Sequence, residues 1–321
     1  MRMMLRWGAL APLLLMSGLP GLADEPNPPG DVQPPPASAA PASSAATPAP
    51  DAVTPVPRAP DPKAIHLKVM TYNIRGGKGG AKDGHAMADL EPVAKIIARE
   101  APDLVALEEV DRLRKRSQET DQAEWLGKRL GLMPAFEWAF QLDPKPPGRE
   151  QYGVAVLSRL PLAPPQRHFL YKPDYRTTRP ELADYFSEQR ILLQTTITVR
   201  GVTLHFFCTH LGLTPDQLEK QTQEIVEIAS KVKGPVIIAG DFNGKPQDRP
   251  MAPLYAAFRE VQADYGVNAK DQKSFPVGTE SRVAIDHIFV SPEFRVLKAE
   301  VVRDETLASD HNPVVAELEL Q

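Results

Sequence analysis

The sequence predicts an α/β fold with two β-sheets, carried by residues 63 to 321. Three observations predict it. Short apolar, β-branched runs such as Val236, Ile237 and Ile238 are bounded by Gly and Pro, as buried strands are. Stretches of helical period fall between such runs; one is Pro215 to Lys233, with Leu218, Ile225 and Ile228 on one face. The remaining length, roughly 260 residues, is large for one domain but ordinary for a two-sheet α/β domain.

Residues 1–23 read as a secretory signal peptide. Arg2 and Arg6 precede the apolar run Trp7 to Leu22, and Gly21-Leu22-Ala23 supplies small residues at a cleavage site. The run is short for a membrane span and is broken by Pro12 and Pro20, and the region holds no cysteine to carry a lipid. Export, secreted or periplasmic, is the expected address. Residues 24–62 are rich in Pro, Ala and Ser, a composition that cannot bury enough apolar surface to offset chain entropy, so a disordered or polyproline-like linker is expected.

The formal net charge of the chain is −4, and no Lys/Arg run or basic tail is present. Bulk charge therefore argues against strong non-specific DNA binding. The single cysteine, Cys208, lies in the strand-like run LHFFCTHL and reads as a buried inert thiol.

Taken in order, Leu67 to Tyr72 alternates as a strand with Asn73 at its end. The glycine-rich Gly76 to Gly80 lacks the Gly-Lys-Ser/Thr ending of a phosphate loop and reads as a flexible loop. Asp89 is a candidate cap for a helix with Pro92 in its first turn and an apolar face of Val93, Ile96 and Ile97. DLVALEEV is a buried strand ending in Glu108 and Glu109. Neighbours on a strand face opposite ways, so one of these two acids points into any given cleft. Arg112 to Arg116 reads as a solvated basic loop in preference to a phosphate-contacting patch.

A helix is expected over Glu124 to Leu130, a strand over Gln151 to Ser158 and a cleft-rimming loop over Tyr171 to Phe186. Arg190 to Val199 and Val202 to Thr209 form a hairpin around Arg200-Gly201, with His210 at its exit. Thr214 is the candidate N-cap of the helix that follows. Next come the strand ending in Gly240-Asp241-Phe242-Asn243, a helix near Leu254 to Phe258, and strands Val283 to Val290, Phe294 to Val302 and Pro313 to Leu318. His287 alternates away from Asp286 and reads as structural.

Polar groups thus mark six strand ends: Asn73, Glu109, His210, Asp241 with Asn243, Asp286, and Asp310 with His311. Asp241 and Asn243 alone could form a local Asx turn or could aim both side chains into a cleft. Six such ends, without a cysteine set or an HExxH motif, point to an oxygen site for a hard cation, Mg²⁺ or Mn²⁺, flanked by histidines.

The segments TYNI around Asn73, DLVALEEV, YGVAVLS, THL after Cys208, GDFN, IDHIFVS and SDHNPV together resemble the endonuclease/exonuclease/phosphatase family of DNase I-like phosphohydrolases. They run in the family order across nearly all of residues 63–321. The resemblance implies a four-layer sandwich, two packed mixed β-sheets flanked by helices. It implies in-line attack of water on a phosphoester. Glu109 and Asn73 would hold Mg²⁺ (or Mn²⁺), and Asp310 would help a second metal site. Asp241 would position or deprotonate the water, and Asn243 would orient it or a phosphate oxygen. His311, fixed by Asp286, would donate to phosphate, and His210 would be a second phosphate contact or the acid for the leaving oxygen. Arg190 could touch phosphate or form a structural ion pair. Glu108 stands where the family has Gln; it could face away or alter metal binding.

The expected activity is metal-dependent hydrolysis of a phosphodiester or phosphomonoester by a monomer. Two narrower readings are a nuclease acting on DNA or RNA, and a sphingomyelinase-like hydrolase of phospholipid head groups at a membrane surface. The first would lean on Arg112 to Arg116 and Tyr171 to Arg179, the second on an exposed apolar segment at Trp138 to Pro147. A non-catalytic binding module on the same scaffold is a less favoured reading, because every core position is present.

Overall fold

The computed structural model describes residues 63–80, 87–142, 150–179, 188–277, 281–303 and 307–321. The signal peptide and linker expected over residues 1–62, part of the rim loop after Arg179, and His85 lie outside them.

Twelve strands build two six-stranded sheets. In chain order they are β1 (Ile65–Asn73), β2 (Leu104–Arg112), β3 (Met133–Gln141), β4 (Gln151–Ser158), β5 (Gln166–Phe169), β6 (Ile191–Val199), β7 (Val202–His210), β8 (Val236–Asp241), β9 (Arg259–Glu260), β10 (Asp286–Val290), β11 (Phe294–Val301) and β12 (Val314–Leu320). One sheet runs β11-β12-β1-β2-β4-β3, the other β5-β6-β7-β8-β10-β9. Each has one parallel pair at its centre, β1/β2 and β7/β8; the other pairs are antiparallel. Parallel neighbours need a crossover, and here each crossover is a helix, Glu91–Glu100 and Pro215–Ser230.

The period-2 pattern of the central strands divides their apolar residues between two faces. Val69, Leu104, Ala106 and Val156 of one sheet pack with Phe206, Cys208, Ile237 and Ile288 of the other. On the outer faces, Val93, Ile97 and Leu126 of two helices cover Val105, Leu107 and Leu157, while Leu218 and Ile225 of the long helix cover Phe207 and Ile238. Burying one such large side chain stabilises by about 1.5–3 kcal/mol. The result is the expected four-layer sandwich.

Several local expectations need correction. Thr214 sits at the N-cap position, but its hydroxyl bonds the Tyr175 hydroxyl rather than the helix. The last-but-two strand begins at Asp286, not Val283, which instead bridges Phe275. Edge strands β3 and β5 and the short helix Val261–Tyr265 carry no clear sequence signal; β3 has Pro134 and mixed polarity, features tolerated because it lies at a sheet edge. Trp138 belongs to β3, where the Arg167 guanidinium stacks on it at 3.7 Å, so it is not part of an apolar loop; residues 143–149 of that segment are outside the described ones.

Gly76–Gly80 is a fixed turn rather than a flexible loop. Arg75–Gly77 forms a 3-10 turn, Gly76 holds φ +61°, Gln122 Nε2 donates to the Gly76 carbonyl at 2.8 Å, and Arg75 Nη1 donates to the Gly79 carbonyl at 2.8 Å.

Candidate active site

The site forms where the C-terminal ends of the parallel strands in the two sheets meet. Register brings three of its groups together. His210 on β7 lies opposite Asp241 on β8, and Asp241 lies opposite Asp286 on β10. Residues level with one another on adjacent strands share a face, so all three side chains point the same way. The other sheet supplies Asn73 from the end of β1. Its Nδ2 donates to Asp241 Oδ2 at 3.0 Å and to Glu109 Oε1 at 3.2 Å, linking the sheets.

Glu109 reaches this position through a break in strand alternation. β2 carries a register shift between Leu107 and Val110, and Glu109 has φ +57°. A bulge re-aims one side chain at the cost of a strained residue. Glu108 then points down between the sheets. It is fully buried; Thr71 Oγ1 donates to its Oε1 at 2.9 Å, and Cys208 Sγ lies 3.7 Å from the same oxygen. Glu108 therefore does not face away: it lies under the site. Burial, then the nearby Asp286 carboxylate, raises its pKa well above the usual range, which keeps it neutral.

The central trio is Asp241, Asp286 and His311, all buried, with potential ligand atoms within 4.8 Å of one another. His311 Nδ1 lies 2.9 Å from Asp286 Oδ2, and its Nε2 lies 3.8 Å from Asp241 Oδ2. Burial works against the imidazolium, but Asp286 and then Asp241 outweigh it, and the His311 pKa rises well above its usual value. Asp241 is pushed up to about 7 by burial and by Asp286, with His311 and the Asn73 hydrogen bond acting the other way. His210 Nε2 lies 3.5 Å from Asp241 Oδ2, yet His210 is held neutral: burial, then Arg190 and His311, lowers its pKa well below the usual value.

Asp241 meets both readings of its motif. Its Oδ1 accepts the Asn243 backbone N–H at 3.0 Å, an Asx turn, while its Oδ2 faces the cleft. Asn243, at φ +51°, donates Nδ2 to the Leu211 carbonyl at 3.0 Å. Arg190 forms the structural ion pair, one of its two expected roles. It pairs with Glu188 at 3.3 Å, and it is buried close enough to Glu109 and His210 to bias their ionisation, with Nε unpartnered. Asp310 is held by Arg75 Nε at 3.1 Å. His287 is structural: buried, with Nε2 3.0 Å from the Gly244 carbonyl and Nδ1 3.7 Å from Glu260.

Sequence reading missed the supports of this constellation. Ser309 Oγ donates to the Asn73 carbonyl at 2.6 Å, and the Arg75 backbone N–H donates to Asn73 Oδ1 at 3.0 Å. Arg75 stands two residues after Asn73, a spacing that fits a local turn, but nothing local shows that its guanidinium reaches Asp310.

The donor set fits a hard divalent cation. Burial and then Asp310 raise the Glu109 pKa, so two carboxylates compete for negative charge in one place, a conflict a cation relieves. Glu109, Asp310 and the Asn73 amide are oxygen-bearing groups, and no thiolate takes part.

The sequence profile of the endonuclease/exonuclease/phosphatase family matches residues 70–311. The chain belongs to that family. Members of the endonuclease/exonuclease/phosphatase family generally hydrolyse phosphoesters. Among solved structures, a family protein of Beutenbergia cavernae is 22% identical with TM-score 0.60, over 79% of this chain and 72% of that one. A mannosyl-6-phosphatase of Bacteroides thetaiotaomicron is 22% identical with TM-score 0.57, over 78% and 99%. TDP2 of D. rerio with a single-strand DNA product is 16% identical with TM-score 0.56, over 79% and 98%. At these identities the likeness speaks to the fold. A search of curated proteins finds no match.

Proposed function

We propose that the folded region hydrolyses phosphoesters with the help of a divalent cation, Mg²⁺ or Mn²⁺. The observation that supports this best is Asp241 Oδ2, within 3.0–3.8 Å of Asn73, His210 and His311 at one point between the sheets.

Each protein group has a definite task there. Asp241, with a pKa near 7, is ionised in part at neutral pH and can take a proton from water or orient it. The charged His311 offers Nε2–H to a phosphoryl oxygen, while Asp286 holds its Nδ1–H and so fixes the ring. His210 donates its one neutral ring N–H to a phosphoryl oxygen; burial, then Arg190 and His311, disfavours the imidazolium that would act as the acid for the leaving oxygen. Asn243 fixes the backbone turn behind Asp241. A cation held by Glu109, with Asn73 and Asp310 beside it, would neutralise charge developing on the phosphoryl oxygens.

A phosphoester panel with and without Mg²⁺ or Mn²⁺ tests the reading. It should include a sugar monophosphate, an activated diester, an oligonucleotide and a sphingomyelin vesicle. Metal-dependent turnover of at least one is expected; no turnover of any, with intact metal binding, favours the binding-module reading.

We also propose export of a mature chain beginning near Asp24, on the Arg-flanked apolar run ending at Ala23. Recovery of the intact Met1 terminus from membranes would show an anchor instead.

A further inference from the structure

We propose that Lys78, Arg114 and Arg116 form a second anion subsite beside the reaction centre, built for a substrate that carries a second phosphate on the same small scaffold. This deepens the phosphoesterase reading and rests on it.

Arg112 to Arg116 reads in sequence as a solvated loop, and Arg112, Lys115 and Arg116 are exposed as that reading expects, but Arg114 and Arg116 also turn onto a buried carboxylate. Asp111, two residues past Glu109 on β2, is fully buried and gathers the loop inward. Arg116 binds it through Nε and Nη2, both at 2.7 Å, and Arg114 Nη1 lies 3.3 Å from Oδ1. Both guanidinium groups lie over the Tyr152 ring, at 5.9 and 5.5 Å from its centroid. Lys78 arrives on the fixed glycine turn, which rests on the same cluster: a Cβ on Gly76 would stand 3.3 Å from Asp111 Oδ2.

Charge does not balance there. Three cations face two buried carboxylates: Asp111, which Arg114 and Arg116 bind directly, and Glu109, which belongs to the reaction centre and acts on Lys78 and Arg116 only at a distance. Lys78 makes no ion pair or hydrogen bond among the described residues, and Arg114 Nε is buried without a partner. Burial and then repulsion from Arg116 pull the Lys78 pKa down, as for a cation short of counter-charge. Such a cluster gains from an incoming anion. Glu109 lies within electrostatic reach of Lys78 and Arg116. Asp111 lies two residues beyond Glu109 along β2, a span of at most about 7 Å. That is the reach of two phosphates on one small molecule. An extended polyanion would instead need a basic stripe, and the chain is acidic overall.

The test pairs binding with turnover. Binding of glucose 1,6-bisphosphate and glucose 6-phosphate to the metal-free full chain is measured by calorimetry, for wild type, Lys78→Gln and Arg114→Gln. Tighter binding of the bisphosphate by about tenfold is expected in wild type, as is loss of that preference in either variant. The Mg²⁺-dependent KM ratio of the two sugars should change in the same direction. Lys78→Gln removes no ion pair or side-chain hydrogen bond among the described residues, so it reports even if Arg114→Gln folds poorly. Equal affinities in wild type, or a preference that survives in Lys78→Gln, overturn the subsite. So does an oligonucleotide that binds more tightly than the bisphosphate and loses affinity in Lys78→Gln, which would assign the cations to a nucleic-acid backbone. A chain that hydrolyses nothing yet shows the lysine-dependent preference refutes the phosphoesterase reading and leaves the subsite standing.

Discussion

His311 Nδ1 stands 2.9 Å from Asp286 Oδ2, and both groups are buried. The carboxylate fixes the ring and favours its charge, while Nε2 stays directed at the cleft near Asp241. The two residues come from β10 and from the turn before β12, in different sheets, so the pair depends on both sheets being in register.

The pH–rate profile should be bell-shaped. Activity needs ionised Asp241, whose carboxyl is pushed up to about 7 by burial and Asp286, so the acid limb rises as that group loses its proton, at a lower pH once a cation is bound nearby. It also needs protonated His311, so the alkaline limb falls as pH passes that raised pKa. Asp286→Asn removes the charge that raises it, and the alkaline limb should move to lower pH by about one unit or more. A limb that stays in place separates His311 from the chemistry.

Asp241→Asn and His311→Ala should each cost at least about a hundredfold in kcat/KM, the scale of a lost base or oxyanion donor. Both act on one transition state, so the double variant should be little slower than the worse single variant. Kinetics on an activated diester at saturating Mg²⁺, with circular dichroism as folding control, decide this. Near-normal rates in both single variants would place the site elsewhere.

Glu109→Gln should weaken Mg²⁺ or Mn²⁺ binding by about tenfold or more, and Glu108→Gln by much less. The bulge sends Glu109 to Asn73 and the cleft, while Glu108 points to Thr71 and Cys208 beneath it. Calorimetric titration of both variants checks the assignment. Equal losses would mean that Glu108 also reaches the metal.

Glu108→Gln should flatten the dependence of stability on pH. In the unfolded chain this glutamate loses its proton near its ordinary value of 4.5, whereas the folded protein keeps it protonated to well above that. The native state thus binds the extra proton, and stability falls as pH rises from 4.5 toward the folded pKa. Glutamine removes this proton linkage and supplies a neutral group of similar shape. Thermal melts in EDTA from pH 5 to pH 8 should show a smaller loss of Tm in the variant; parallel curves would show an ionised Glu108.

The sequence by itself determined the α/β class, the central strands and the groups at their ends. Their signals are local: apolar runs of period 2, the Arg200-Gly201 hairpin turn, and polar residues where a buried strand stops. Through the family motifs it also named Asn73, Glu109, His210, Asp241, Asp286 and His311 before any of them had a neighbour. Tertiary structure alone decided how they meet. The β2 bulge at Leu107–Val110 sets which glutamate enters the cleft, and nothing in LEEV announces it. Burial lowers the pKa of both His210 and His311; their charge states diverge because Arg190 lowers the first further while Asp286 raises the second, contacts set by packing rather than spacing. The anchoring of the exposed basic loop is invisible in sequence because its counter-charge, Asp111, looks like any strand-end acid until β4 and the glycine turn close over it. Short-range propensity is written along the chain. Burial and electrostatics depend on distances between residues far apart in it, and only the folded sandwich fixes those.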